Sequence, residues 1–80
     1  MAQRLTPWQK TIIRMLDTRE AVLYHDGRQA WLDEELRGVP PYPVHYTTLR
    51  ALQRHGYVHE ESRRGTRTYF ALTDTGRERV

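Results

Sequence analysis

The stretch "HYTTLRALQRHGYVHEESRRGTRTYFALT" (residues 45–73) decides the predicted fold, because it joins a helical pattern to two strand patterns through one glycine. At about 100° per residue, His45, Leu49 and Leu52 fall on one side of a helix spanning about residues 44–55. Gly56 is suited to end that helix in a left-handed conformation. The opposite side of the helix carries polar residues, namely Thr47, Arg50 and Arg54.

Residues 57–73 predict a hairpin with a basic tip. "YVHEE" and "TRTYFAL" alternate as two strands would, with Val58, Phe70 and Leu72 as candidates for the inner face. The short connection "SRRG" suits a tight turn at Gly65. Three arginines surround this turn, namely Arg63, Arg64 and Arg67.

The N-terminal third predicts a helix over about residues 7–26. Thr6 can cap it, Pro7 suits its first position, and Gln9 stands where a capping box requires Glu or Gln. Residues 19–26 allow two interpretations. We favour helix, because the apolar stripe stays in phase through this segment and Gly27 can end it. The alternative is a strand, with Asp26-Gly27 as the turn of a hairpin.

Residues 30–44 predict short elements. "AWL" suits a very short strand beside the hairpin, and "DEELRG" has the acidic start and glycine stop of a second helix, at about residues 32–37. The prolines of "VPPYPV" exclude helix and central strand, so we expect a stiff turn there. Trp8 and Trp31 are expected in the core, and His45 is expected to be a partly buried packing residue.

Composition places the positive charge in the C-terminal half of one small domain, residues 1–80. The net charge is +3; residues 1–44 hold equal numbers of basic and acidic residues, whereas residues 45–80 hold seven arginines and four acids. Without cysteine, disulfides and thiolate metal sites are excluded. The histidines lack the spacing of a metal site, and no catalytic motif is present, so we expect neither a cofactor nor enzyme activity. No apolar run is long enough to span a membrane.

From "LDEELRG" to "LTDTGRE" the chain resembles winged helix-turn-helix domains of bacterial and archaeal regulators, similar to the PadR and MarR families. "TLRALQRHGYVHEE" resembles their recognition helix and its continuation into the wing, and "GTRTYFALTDTGRE" resembles the second wing strand. The resemblance implies an α+β fold that is mostly helical. It consists of a three-helix core with a small antiparallel sheet that ends in the wing hairpin.

The same resemblance implies sequence-specific binding of double-stranded DNA by a cytoplasmic, nucleoid-associated transcriptional regulator. The recognition helix would enter the major groove, and the wing would contact phosphates or the minor groove. No small-molecule ligand is expected, and a homodimer through the N-terminal helix, around Ile13 and Arg14, is plausible. Alternatives are a protein-interaction module and a nonspecific architectural DNA-binding protein. The matching positions are Tyr46, Thr47, Arg50 and Arg54 on the helix, and Arg63, Arg64 and Arg67 on the wing.

Overall fold

The computed structural model describes residues 4–79, so the ends of the predicted domain 1–80 lie outside it. None of the helices within this range is long and apolar enough to cross a membrane. In chain order the elements are α1 (Pro7–Asp17), β1 (Val22–His25), β2 (Ala30–Asp33), a 3₁₀ turn (Glu35–Arg37), β3 (Tyr42–Val44), α2 (Tyr46–Arg54), β4 (Val58–Arg64), β5 (Arg67–Leu72) and α3 (Asp74–Arg77).

The five strands form one antiparallel sheet in the order β3-β2-β1-β5-β4. The predicted mostly helical fold is therefore wrong: the sheet is the central element, and no three-helix core is formed by the described residues. The short strand β2 does not extend the wing hairpin as expected, because β1 lies between β2 and β5.

Residues 19–26 are the main source of the difference between the predicted and the observed fold. The capping box of Thr6 and Gln9 is confirmed, but α1 ends at Asp17, and Arg19 adopts a left-handed conformation with φ of 62°. The chain then enters β1, where Leu23 faces the helices and Tyr24 faces the other side of the sheet. Both are buried. A strand with apolar residues on both faces has no alternating pattern, so its periodicity resembles that of a buried helix.

The segment before α2 also differs from the predicted second helix over residues 32–37. Strand β2 continues to Asp33, and only one 3₁₀ turn follows before Gly38 reverses the chain with φ of 65°. The turn buries none of its residues, and Leu36 is 93% exposed. The proline-rich segment forms the edge strand β3, where the missing N–H of Pro43 leaves no central hydrogen bond unmade.

The hydrophobic core lies between one face of the sheet and the helices. Alternate strand residues point inward and meet α1 and α2. Ile13 is buried in this core, whereas its neighbour Arg14 is exposed on α1. Trp8, expected in the core, is 36% exposed. The cluster comprises Leu5, Ile12, Ile13, Ala21, Leu23, Ala30, Leu32, Val44, Leu49, Leu52, Tyr57, Val58, Phe70 and Leu72.

The short helix α3 is docked tightly on the junction between α2 and β4. Its cap residue Thr73 donates its hydroxyl to the carbonyl of Gly56 and accepts from the N–H of Gly76. A Cβ added to Gly76 would lie 2.2 Å from the carbonyl oxygen of Tyr57 and 3.1 Å from its carbonyl carbon. These are backbone atoms, which cannot rotate away as a side chain can.

We therefore expect Gly76→Ala to lower the free energy of unfolding by about 2–3 kcal/mol, since backbone must move to admit the methyl group. Thr75→Ala is the matched control, because Thr75 is exposed in the same turn and its loss should cost less than about 0.5 kcal/mol. Urea unfolding followed by circular dichroism measures both. Equal stability of the two variants would show that α3 is not packed as described.

Candidate nucleic-acid interface

Helix α2 is held to the core by one side and exposes a polar side. Leu49 and Leu52 are buried, whereas His45 is an exposed N-cap whose Nδ1 accepts from the Thr47 N–H, at 3.2 Å. The expectation that His45 is a partly buried packing residue is thus wrong. The exposed side, here called the helix surface, consists of Tyr46, Thr47, Arg50, Gln53 and Arg54.

The two arginines of the helix surface have no acidic partner among residues 4–79. Arg50 donates from Nη1 to the Tyr46 hydroxyl at 3.1 Å, and its guanidinium carbon lies 5.6 Å from the centre of the Tyr46 ring. Tyr46 therefore orients Arg50 without neutralising it. Both guanidiniums, and that of Arg54 in particular, remain available to an anionic ligand.

Strand alternation separates the three arginines predicted for the wing. Arg63 is opposite Thr68 on the helix-bearing side, where it pairs with Glu60 at 3.2 Å. Arg64 and Arg67 are opposite each other and point to the other side of the sheet. The three arginines around this turn therefore do not lie on one face of the sheet.

The guanidinium of Arg67 is held over the Tyr24 ring on the outer side of the sheet. Its guanidinium carbon lies 4.5 Å from the centre of the Tyr24 ring, and its Nη1 lies 3.5 Å from the Tyr69 hydroxyl. The hydrogen bond to Tyr69 raises the pKa of Arg67 above its usual value, with a further contribution from Tyr24. Burial raises the pKa of Tyr24, so both groups keep their ordinary neutral-pH charge.

A second hairpin tip, missed by sequence analysis, lies beside the predicted one and carries one arginine, Arg28, and one carboxylate, Asp26. Because β1 is antiparallel to β5, the β1–β2 turn and the β4–β5 turn are at the same end of the sheet. Arg28 is exposed on the first turn and lines a shallow depression with Arg63. The alternative interpretation of Asp26-Gly27 as a hairpin turn contains the signal that places Arg28 on a tip.

Asp26 organises the β1–β2 turn and fixes Trp31. Its Oδ1 accepts from the N–H groups of Arg28 and Gln29, both at 2.8 Å, and its Oδ2 accepts from the indole N–H of Trp31 at 2.9 Å. Hydrogen bonds from Gln29, Trp31 and Arg28 lower the pKa of Asp26 to about 2. Trp31 is a half-buried residue of the outer sheet face. The prediction that Trp31 lies in the core is therefore wrong.

No protein-family model, no curated protein and no solved structure matches the chain. The similarity to winged-helix regulators therefore rests on the sequence motifs alone.

The lowered pKa of Asp26 predicts an acid-dependent contribution to stability. A carboxylate whose pKa falls on folding stabilises the protein above its ordinary value of 3.8, and this contribution is lost as the pH falls toward 2. We expect Asp26→Ala to be less stable than the parent at neutral pH and to lose less further stability between these two pH values. Urea titrations over this range test it.

Asp17→Ala is the control, because Asp17 is exposed at the end of α1. A parallel pH dependence in the Asp26→Ala variant and the parent would show that the turn does not depend on the ionised carboxylate.

Proposed function

We propose that the chain binds double-stranded DNA through the helix surface and acts as a small transcriptional regulator. The observation that carries the proposal is the pair Arg50 and Arg54, exposed on a helix whose other side is anchored by Leu49 and Leu52. A helix fits the major groove, where Arg50 can donate to guanine O6 and N7. Thr47, one turn earlier, suits a phosphate or a thymine methyl group.

The hairpin tips supply the contacts that set the orientation. In a helix-turn-helix, the helix before the recognition helix crosses the DNA backbone. Here a 3₁₀ turn and an edge strand precede α2. We infer that Arg28 and Arg63 take over the phosphate contacts, since both belong to the sheet end that carries the two tips. Such contacts release counterions, so affinity falls steeply with salt.

The carboxylate of Glu60 partly neutralises the positive charge of Arg63 at the hairpin tip. Its ion pair with Arg63 would reduce the attraction of the tip for phosphate. In complex, Arg63 can exchange Glu60 for a phosphate, because an exposed ion pair contributes less than about 1 kcal/mol. In a prokaryotic cell this function would place the chain in the cytoplasm with the nucleoid.

Fluorescence anisotropy with labelled duplexes tests the proposal. One duplex has a random sequence and the other derives from DNA upstream of the chain's own gene. Tighter binding to the upstream duplex supports a regulator, and equal binding to both indicates an architectural protein. Absence of binding to either at low salt would overturn the DNA proposal in favour of a protein-interaction module.

Replacement of individual arginines separates base contacts from phosphate contacts. Arg50→Ala should weaken binding to the preferred duplex by about 1–3 kcal/mol and relax sequence preference. Arg28→Ala should weaken binding to all duplexes to the same extent. It should also reduce the slope of log affinity against log salt concentration by about 0.9. Arg14→Ala, which removes an exposed arginine of α1, is the charge-matched control. If all three variants behave alike, the assigned surface is wrong.

A further inference from the structure

The outer face of the sheet carries a row of rings that the duplex proposal does not use. Directly paired positions on four neighbouring strands are Pro43, Trp31, Tyr24 and Tyr69. Residues opposite one another share a face, and neighbouring strands are about 4.8 Å apart. The row therefore extends across the width of β3, β2, β1 and β5. Ser62 on β4 continues it beyond Tyr69.

Within residues 4–79, this face has no covering layer. The buried residues of α1 and α2 belong to the same core as the inward-facing strand residues, and α3 packs against Tyr57 and Leu72 of that core. Trp31 and Tyr69 are consequently half-buried, although both are at the centre of the sheet face. Partly exposed aromatic side chains that are contiguous on one face are typical of a binding site.

The rings are held in place before any ligand arrives. Trp31 is fixed by its hydrogen bond to Asp26 at 2.9 Å. The rings of Tyr24 and Tyr69 are 5.6 Å apart, and Arg67 covers Tyr24 while reaching the Tyr69 hydroxyl. One side of the planar Arg67 guanidinium is used by Tyr24. The residue as a whole is exposed, so the other side can receive a flat ligand.

Charge along the strands distinguishes the two sides of the ring row. Toward the hairpin tips lie Arg67 and Arg64, directly opposite each other. Away from the tips lie Asp33 on β2 and His59 on β4, each in a position of the same face. The tip side also carries the carboxylate of Asp26, which is bound to Trp31 and is outnumbered by the two arginines. Phosphates are therefore attracted to the tip side of the row and repelled from the Asp33 side.

We propose that this face, here called the sheet surface (Trp31, Tyr24, Tyr69, Arg64 and Arg67), binds single-stranded nucleic acid. Unpaired bases stack on Trp31, on Tyr69 and on the open side of the Arg67 guanidinium, and Arg64 contacts the phosphates. A duplex does not meet these requirements, because its bases are already stacked on one another. The site is distinct from the helix surface and does not depend on the proposed duplex binding.

A second copy of the chain is a less suitable occupant of this face. A two-fold interface buries the same residues from both copies. It would bring Arg64 and Arg67 of each copy into one desolvated contact, in which the Asp26 carboxylate is already occupied by hydrogen bonds from Arg28, Gln29 and Trp31. Single-stranded nucleic acid supplies flat bases that can stack on the rings and negative charge that can pair with Arg64 and Arg67.

Tryptophan fluorescence reports directly on the site. The chain has two tryptophans, and Trp8 is on α1, so the Trp8→Phe variant leaves Trp31 as the only emitter. Addition of a thymidine or uridine oligonucleotide of about 12 nucleotides should quench Trp31 at low salt. Stronger quenching by one of the two identifies DNA or RNA as the preferred source of bases. An abasic oligonucleotide of the same length should quench little.

Fluorescence anisotropy of the labelled oligonucleotide then measures the affinity of each variant for it. Arg67→Met keeps an apolar cover on Tyr24 but removes the charge and the plane, and we expect affinity to fall about tenfold or more. Tyr69→Leu should lower affinity to a similar extent, and Arg14→Ala should not. Thermal unfolding of each variant verifies that it is folded.

Three results would overturn the proposal. The first is the absence of Trp31 quenching by either oligonucleotide at low salt. The second is a loss of single-strand affinity in Arg50→Ala as large as in Arg67→Met, which would assign the strand to the helix surface. The third is a dimer in sedimentation equilibrium that Arg67→Glu converts to monomer, which would show that a second copy occupies the sheet surface.

Discussion

The structure depends on the central position of β1 in the sheet. Leu23 pairs with Leu32 on one side and with Phe70 on the other, and its side chain is fully buried. Four residues thus join the β2–β3 half of the chain to the β4–β5 hairpin. The turn that permits this is at Arg19, where the left-handed backbone stops α1 before the apolar residues that follow. Without that break, the two halves of the sheet would have no common strand.

Strand β1 also determines where the arginine side chains lie. By pairing antiparallel with both neighbours, β1 brings two hairpin tips to one end of the sheet and places Arg28 beside the predicted wing. It also places Tyr24 between Trp31 and Tyr69, which creates the ring row and supports Arg67. Positive charge is therefore divided between the helix surface on one side of the molecule and the sheet surface on the other.

Some of this could be predicted because its signals are local. The capping box at Thr6 and Gln9 depends on residues three apart, and the exposed side of α2 follows from helical spacing around Leu49 and Leu52. The place of β1 could not be predicted in this way. Val22, Leu23 and Tyr24 are apolar in succession, and a strand buried on both faces shares that pattern with a helix. Only pairing with distant residues decides between them.

Part of the error in the predicted site follows from that segment. With 19–26 as helix, β1 is absent, so Trp31 and Tyr69 have no strand between them and Arg67 has no Tyr24 ring beneath it. Local pattern also placed Arg63, Arg64 and Arg67 in one cluster, because a hairpin tip taken alone does not show which face belongs to the core. The register of β4 against β5 separates them.

Backbone amide shifts measured by two-dimensional NMR test the division into two surfaces most directly. Titration with duplex DNA should shift the amides of α2 and of the β1–β2 turn around Arg28, whereas a single-stranded oligonucleotide should shift those around Trp31, Tyr24, Tyr69 and Arg67. Each ligand should still bind when the other is present at saturation. One common set of shifted amides, or mutual exclusion of the two ligands, would contradict the existence of two separate binding surfaces.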